Sequence, residues 1–397
     1  MLLRGGAMIK NQDFLKKENQ SLVLELILSQ GPISRAEIAK KTMMSPTSAS
    51  RIVASLIENG LIREIRLTHD EVGRKATYFV PNENAAISIG VEIDQNNVRI
   101  GFMNFIGEIF ELQDFNYQPD DPQETVNFVA NSILKMVNMG KIHREKFIGI
   151  CVGLPGLIEN QVGIVKLSAL FNWKDIPLAD WLEEKVGLQV CIDNELKLKA
   201  FAEYNMDTNE QIDNMVMIGF GSGVGSALVS KGEIHRGEGN FSGEVGHTVV
   251  DPYGMYCPCG NFGCLQTYIA ERFLLEEASK TKNIKSIQAL IIESKKGEKW
   301  ANNILDKATT YAAITVNNVV CVYNPDVVVL SGSLIENHPE IRDEVFEKCT
   351  NQIWSPVQDS FQLQTTKVGV EGVVVGAAQS VQRMFLKDIN FDREVTI

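Results

Sequence analysis

Residues 246–264 read GHTVVDPYGMYCPCGNFGC, and the interpretation of the whole chain starts from them. Cys257 and Cys259 stand one residue apart, Cys264 follows five later, and His247 lies ten before the first cysteine. Three thiolates and an imidazole make one of the tetrahedral ligand sets that structural zinc prefers. Gly254, Gly260 and Gly263 let the backbone turn tightly enough for ligands this close in sequence to converge. Three of the seven cysteines fall within eight residues among turn formers, a spacing that scattered core cysteines do not produce. A closed four-ligand site leaves no position for a substrate water, so the expected zinc is structural. The remaining cysteines, Cys151, Cys191, Cys321 and Cys349, follow no disulfide framework and suit a reducing cytoplasm.

Around this block lies a chain of 397 residues, long enough for two or three domains with full cores. A hydrophobic fraction of 44% with 22% charged residues is that of a soluble globular protein. No apolar run approaches the roughly 18 residues of a membrane span. The opening MLLRGGAMIK lacks the apolar centre of a signal peptide. A cytoplasmic protein with no membrane partner is expected. Charge is unevenly spread: residues 1–80 hold 12 Lys and Arg against 8 Asp and Glu, while the remainder holds 26 against 42. A small basic head on a large acidic body fits a nucleic-acid reader joined to a ligand-binding domain.

The head supports that reading residue by residue. Residues 11–29 place Phe14, Leu15, Leu22, Leu26 and Ile27 at helical spacing, and Gly31-Pro32 stops the helix. Ser34 with Glu37 three residues on is a capping box for a second helix. Ser45-Pro46 opens a third, which buries Ile52, Val53, Leu56 and Ile57. Alternation over 62–67 and again over 76–80 gives a two-stranded wing. Three helices and a wing make a winged helix-turn-helix, whose third helix enters the major groove. The candidate DNA contacts are Ser45, Thr47, Ser48, Ser50 and Arg51 on that helix, with Arg74 and Lys75 at the wing tip.

A family resemblance joins the two halves. GEVGH, nine residues, CPCG and then GCLQ resemble the motif of the ROK family of repressors, open reading frames and kinases. The run GRKATYFVPN resembles the passage from the DNA-binding head into the body in the family's repressors, and the kinases lack that head. The resemblance covers nearly the whole chain and points to the xylose-repressor and N-acetylglucosamine-repressor branches. It implies a two-lobed, actin-like body in which the zinc loop lies beside a sugar pocket. Glu244 and His247 are then implied sugar contacts, as is Gln266, which stands where the family usually has Glu. The segment GLPG resembles the family's sugar-side turn and implies Gly156 in the pocket.

Two departures argue against kinase chemistry. Where the kinases carry a phosphate-binding D-x-G-G-T turn, this chain has Glu92 and then Asp94-Gln95-Asn96. An Asp in that loop opposes nucleotide phosphate by like charge and bulk. Where the family carries E-N-D-x-N, the chain has Asp193-Asn194-Glu195, with Lys197 in place of the second Asn. Asn194 matches an implied sugar contact. Glu195 replaces the catalytic Asp, and its extra methylene moves the carboxylate by more than about 1 Å, a displacement that costs about 100-fold where geometry matters. Glu195 is read as a binding group. The bland alternative is that Asp193 to Lys197 only cap the following helix. Gly219, Gly221, Gly223 and Gly225 resemble the family's second phosphate loop, which is retained.

The expectation is an α/β protein: a winged helix-turn-helix over residues 8–80, a linker over 81–86, and a ROK sugar-binding domain over 87–397. Its lobes are placed at approximately 87–200 and 201–375, with the C-terminal helix returning to the first lobe. The function expected is that of a non-enzymatic, sugar-responsive repressor that binds double-stranded operator DNA as a homodimer or dimer of dimers. The alternatives are a sugar kinase with a DNA-binding head, and a DNA-bound regulator controlled by a phosphotransfer protein.

Overall fold

The computed structural model describes residues 12–66, 77–140, 142–206 and 212–388. The N-terminal part contains α1 (Gln12–Gln30), β1 (Ile33–Ser34), α2 (Arg35–Thr42), α3 (Pro46–Glu58), β2 (Ile62–Arg66) and β3 (Thr77–Pro81). The capping box at α2 is formed. Ser34 Oγ accepts the Glu37 N–H at 3.3 Å, and Glu37 accepts the Ser34 N–H at 2.9 Å. Two otherwise unpaired helix-end donors are thus satisfied reciprocally. Met43 ends α2 in the left-handed region at φ 56°, which makes the sharp turn into α3.

Two expectations about the head are corrected. On α1 the buried face is Gln20, Val23, Leu24 and Ile27, while Leu22 is 46% exposed. Those four positions keep helical spacing, and the polar Gln20 hid the register. The side chains of Phe14 and Leu15 lie outside those described. The wing sheet also has a third strand, in the order β1-β3-β2, with Ile33 opposite Phe79. A two-residue strand carries too little alternation to announce itself.

The chain continues through β4 (Ile87–Asp94), β5 (Asn97–Met103), β6 (Ile109–Asn116), α4 (Pro122–Met139) and β7 (Phe147–Leu154). A three-stranded sheet follows, β8 (Leu157–Glu159), β9 (Ile164–Ser168) and β10 (Trp173–Ile176), in the order β10-β9-β8. Then come α5 (Leu178–Val186), β11 (Val190–Asn194), α6 (Glu195–Met206), β12 (Asn214–Phe220), β13 (Val224–Ser230) and β14 (Glu233–Ile234). Beyond the cysteine loop stand α7 (Gln266–Ile269), α8 (Glu271–Ser279), α9 (Ile287–Lys295) and α10 (Lys299–Tyr323). The chain closes with β15 (Val327–Ser331), α11 (Ser333–Glu336), α12 (Pro339–Gln352), β16 (Gln362–Thr365) and α13 (Gly372–Asp388).

Two five-stranded sheets organise these elements, β11-β7-β4-β5-β6 and β14-β13-β12-β15-β16. Each combines an antiparallel meander with two strands added beside its first strand, so one architecture occurs twice. The repetition is visible only in topology, because alternating apolar strands can pair in many orders.

The chain divides into two compact units. One comprises Met1–Val152, Leu178–Cys191 and Ala377–Ile397, the other Gly153–Pro177 and Ile192–Gly376. In the first unit the head shares its core with the neighbouring body. Val23, Leu24, Ile38, Val53, Leu56 and Phe79 form one cluster with Ala85, Ala86 and Phe105, and Phe385 and Leu386 of α13 pack on it. The Phe105 and Phe385 rings meet edge-on at 6.5 Å, and Gln382 donates to the Phe105 carbonyl at 2.5 Å. Ala85 and Ala86, inside the stretch read as a linker, are 3% and 1% exposed. No described helix is long and apolar enough to cross a membrane.

Candidate functional site

On α3 the apolar residues Ala49, Ile52, Val53 and Leu56 turn inward. The opposite face leaves Ser45, Thr47, Ser50 and Arg51 exposed, with Ser48 half-buried. Ser45 Oγ accepts the Ser48 N–H at 3.1 Å and donates to Ser48 Oγ at 2.9 Å. These two hydroxyls therefore serve the helix cap, and Thr47, Ser50 and Arg51 are the more available groups on that face. Arg74 and Lys75 lie outside the described residues.

In the second unit, one ligand atom from each of His247, Cys257, Cys259 and Cys264 lies within 4.8 Å of all the others. Cys257 Sγ is 3.8 Å from His247 Nδ1, and Cys259 Sγ is 3.6 Å from Cys264 Sγ. A tetrahedron with metal–sulfur bonds of 2.3 Å has edges of about 3.8 Å, so the four fit one ion. Gly263 makes the convergence possible: at φ +64° it brings the chain so near Asp251 that a Cβ would lie 1.5 Å from the Asp251 carbonyl oxygen. The loop is tied down by Tyr268, whose hydroxyl donates to Asp251 Oδ2 at 2.8 Å. That bond holds the Asp251 carboxyl below its ordinary range. Burial, followed by the Asp251 bond, pushes the Tyr268 hydroxyl up to about 12.

The residues implied as sugar contacts fall into two groups. Asn194 Nδ2 donates to the Gly156 carbonyl at 3.2 Å and approaches Glu195 Oε2 at 3.4 Å. Asn194 Oδ1 meanwhile accepts the Leu196 N–H at 3.0 Å and the Lys197 N–H at 3.3 Å, capping α6. Gly156 sits at φ +130°, and a Cβ there would lie 2.4 Å from the Leu167 carbonyl. In the other group, Glu244 precedes a single helical turn, Val245–His247, that leads to the cysteine loop. Its side chain keeps access to solvent, yet crowding around the carboxyl pushes its pKa up against the pull of Lys197. Gln266 is 8% exposed at the start of α7, and its amide donates to Cys257 Sγ at 3.0 Å.

Beneath the Asn194 segment lies a buried charged network that sequence reasoning only partly found. Asp193 is paired with Arg236 and accepts from Asn240 Nδ2 at 3.0 Å. Lys197, 3% exposed, donates to the Asn240 carbonyl and side chain. Burial pushes the Lys197 ammonium pKa down, opposed by Asp193 and reinforced by Arg236. Asn240 also donates to the Ile158 carbonyl at 2.9 Å. Arg236 and Asn240 stand more than forty residues from Asp193 in a glycine-rich stretch that carries no local signal for such a pairing.

At the turn in place of the first phosphate loop, and in the segment beside the second, the polar groups are engaged by the chain's own side chains. Between β4 and β5 the turn Gln95-Asn96 is closed by Asp94 opposite Asn97. Glu92 and Asp114 flank Arg99, at 2.6 Å and 2.8 Å. In the second unit, Ser333 Oγ donates to Glu271 Oε1 at 2.5 Å. Ser331 Oγ and the Gly332 N–H both donate to Glu336 Oε1, at 2.8 Å and 2.7 Å. Gly221 lies against the same serine: a Cβ there would be 2.7 Å from Ser333 Oγ. Burial opposes the Glu336 charge, but Lys199 and these donors hold its pKa below the ordinary value.

A DNA-reading head ahead of a duplicated, kinase-like body defines the class, and the sequence comparisons place the chain within it. The chain belongs to the ROK family, whose profile matches residues 88–384. The MarR family profile matches residues 17–74. The chain is 28% identical over 378 residues to the xylose repressor of Bacillus subtilis strain 168, covering 95% of this chain and 98% of that one. The crystal structure of a ROK family transcriptional regulator homologous to the Mlc protein of Escherichia coli superposes with a TM-score of 0.80. It is 22% identical and covers 96% of this chain and 99% of its own. The ROK hexokinase of Thermus thermophilus superposes with a TM-score of 0.67 at 22% identity, over 76% of this chain and all of its own. The body fold is therefore one that repressors and sugar kinases share.

Proposed function

We propose that the chain is a sugar-responsive transcriptional repressor, working in the cytoplasm, that binds operator DNA as a homodimer through α3 and the wing. The supporting observation is the combination in one chain of an exposed Thr47, Ser50 and Arg51 face with a ROK body whose first unit shares a core with the head. In this reading Gly156, Asn194, Glu195, Glu244 and His247 serve the sugar. His247, Cys257, Cys259 and Cys264 hold a structural zinc that rigidifies the loop. When bound, the ion supplies cross-linking of the loop and no open coordination position.

A sugar changes DNA affinity only by the difference in its affinity for two conformations of the body. A two-fold dimer reads a palindromic site with half-sites about one helical turn apart. Kinase chemistry is not part of the proposal. Asp94 and Gln95 stand where the phosphate-binding glycines would be, and Glu271 and Glu336 already occupy the Ser331 and Ser333 hydroxyls and the Gly332 N–H beside Gly221 of the second glycine-rich loop. An incoming phosphate would meet occupied donors and like charge.

The test is fluorescence anisotropy of the chain on DNA from upstream of its own coding region, titrated with xylose, glucose and N-acetylglucosamine. A sugar that shifts the binding curve at micromolar to millimolar concentration supports the reading. Tight DNA binding untouched by any sugar passes control to a protein partner. ATP-dependent phosphorylation of a hexose, abolished in Glu195→Gln, contradicts the non-enzymatic reading.

A further inference from the structure

Gln266 lies where the family resemblance implies a sugar contact, but its amide is directed elsewhere. Its side chain is buried, and Nε2 donates to Cys257 Sγ at 3.0 Å. Cys257 is itself fully buried, and its Sγ is the cluster atom nearest His247 Nδ1 among the hydrogen-bonding contacts, at 3.8 Å. A buried thiolate bound to a cation still carries excess electron density on sulfur, and an N–H directed at that sulfur stabilises it. The neutral amide brings a donor without a second negative charge. A carboxylate at the same position, ionised, would have no proton to give and would face the thiolate with like charge.

We infer that Gln266 is a positioning residue of the metal centre, holding the Cys257 sulfur by a charge-assisted hydrogen bond rather than contacting the sugar directly. The inference rests on the proposed reading of the four-ligand cluster as a metal site. Gln266 opens α7 two residues after Cys264, so the short helix fixes the donor relative to a ligand on the same turn of chain. The amide has little freedom to swing away, because its residue and the following Thr267, Tyr268 and Ile269 are all buried.

The test uses the full chain with Co2+ as the spectroscopic metal. A tetrahedral three-sulfur, one-nitrogen site gives visible bands and a thiolate-to-cobalt charge-transfer band. Cobalt and zinc affinities are read by competition with a chromophoric chelator, for the parent, Gln266→Met and Gln266→Glu, with circular dichroism to verify folding. Loss of an outer-shell partner typically lowers metal affinity by about 10–100-fold. That fall is expected for Gln266→Met, with a larger one for Gln266→Glu. A structural defect alone would lower affinity without moving the charge-transfer band. Removing a hydrogen bond to sulfur raises its lone-pair energy, so the band of Gln266→Met is expected to shift to longer wavelength. If Gln266→Met does not fold, the comparison is made with Gln266→Glu at neutral pH, where the ionised carboxylate offers no donor and the band is expected to shift the same way. A parent that binds metal, with variants matching it in affinity and band position, overturns the inference alone. A parent that gives no tetrahedral cobalt spectrum overturns the metal reading and the inference with it.

Discussion

Replacing Arg236 with Met strips the cation from a buried carboxylate. Asp193 is 3% exposed, and after the change it retains the Asn240 amide at 3.0 Å and the Asn194 N–H at 2.9 Å but no paired guanidinium. Removing one partner of a buried ion pair costs about 3–5 kcal/mol, because the other charge is left behind without compensation. The Arg236 side chain is 32% exposed, so water already screens this pair, and the loss is set lower, at about 2–3 kcal/mol. For a unit of roughly 200 residues each kcal/mol moves Tm by about 2–4 °C, so a drop of roughly 5–10 °C is expected by scanning calorimetry. The double variant Asp193→Asn with Arg236→Met removes both charges and should recover more than half of that drop. The carboxylate also anchors the segment that presents Asn194, so the single variant should lose sugar response ahead of stability. A single variant within about 2 °C of the parent, or a double variant no better than the single, refutes the claim that this pair braces the site.

Other outcomes follow from the same geometry. Arg51→Ala should weaken operator binding; if its contact is to phosphate, the slope of log K against log salt becomes shallower by about 0.9, and an unchanged curve removes Arg51 from the interface. Phe385→Ala should cost roughly 2 kcal/mol, below the range for a fully buried Phe because this ring is only partly covered, and amide exchange in α1 should accelerate. If α1 exchanges as in the parent, the shared core is not what holds the head. Glu244→Gln tests the raised carboxyl. A folded pKa above the unfolded one contributes stability below the unfolded value and loses it as pH rises through the folded value. The glutamine variant should therefore match the parent in acid and gain on it as pH climbs out of the acidic range; a constant gap from pH 4 to 8 contradicts the shift.

Much of this was legible in the residues because the signals were local. Ser34 and Glu37 announced the start of α2, since a capping box needs only four residues. Ser45 and Pro46 announced the start of α3, and Ile52, Val53 and Leu56 of its expected apolar face are buried. The cysteine loop announced its own convergence, because close ligands and tight turns appear together in one short stretch. What stayed hidden depends on distant partners. Arg236 and Asn240 meet Asp193 only through the fold. The carboxylates of Glu271 and Glu336 reach Ser333 and Ser331 from separate helices. The strand β1 exists only because β3 pairs with it. Leu22 was misplaced for a different reason: a buried Gln20 broke the apolar pattern by which a helix face is recognised.

The central claim is that sugar and operator are coupled through one chain, and coupling in binding free energy is reciprocal. The most direct measurement is titration calorimetry of the effective sugar into the free chain and into the chain saturated with operator duplex. Two different sugar dissociation constants are expected, whose ratio equals the factor by which saturating sugar changes the DNA affinity. Equal constants in the two titrations, with both ligands bound, would contradict it.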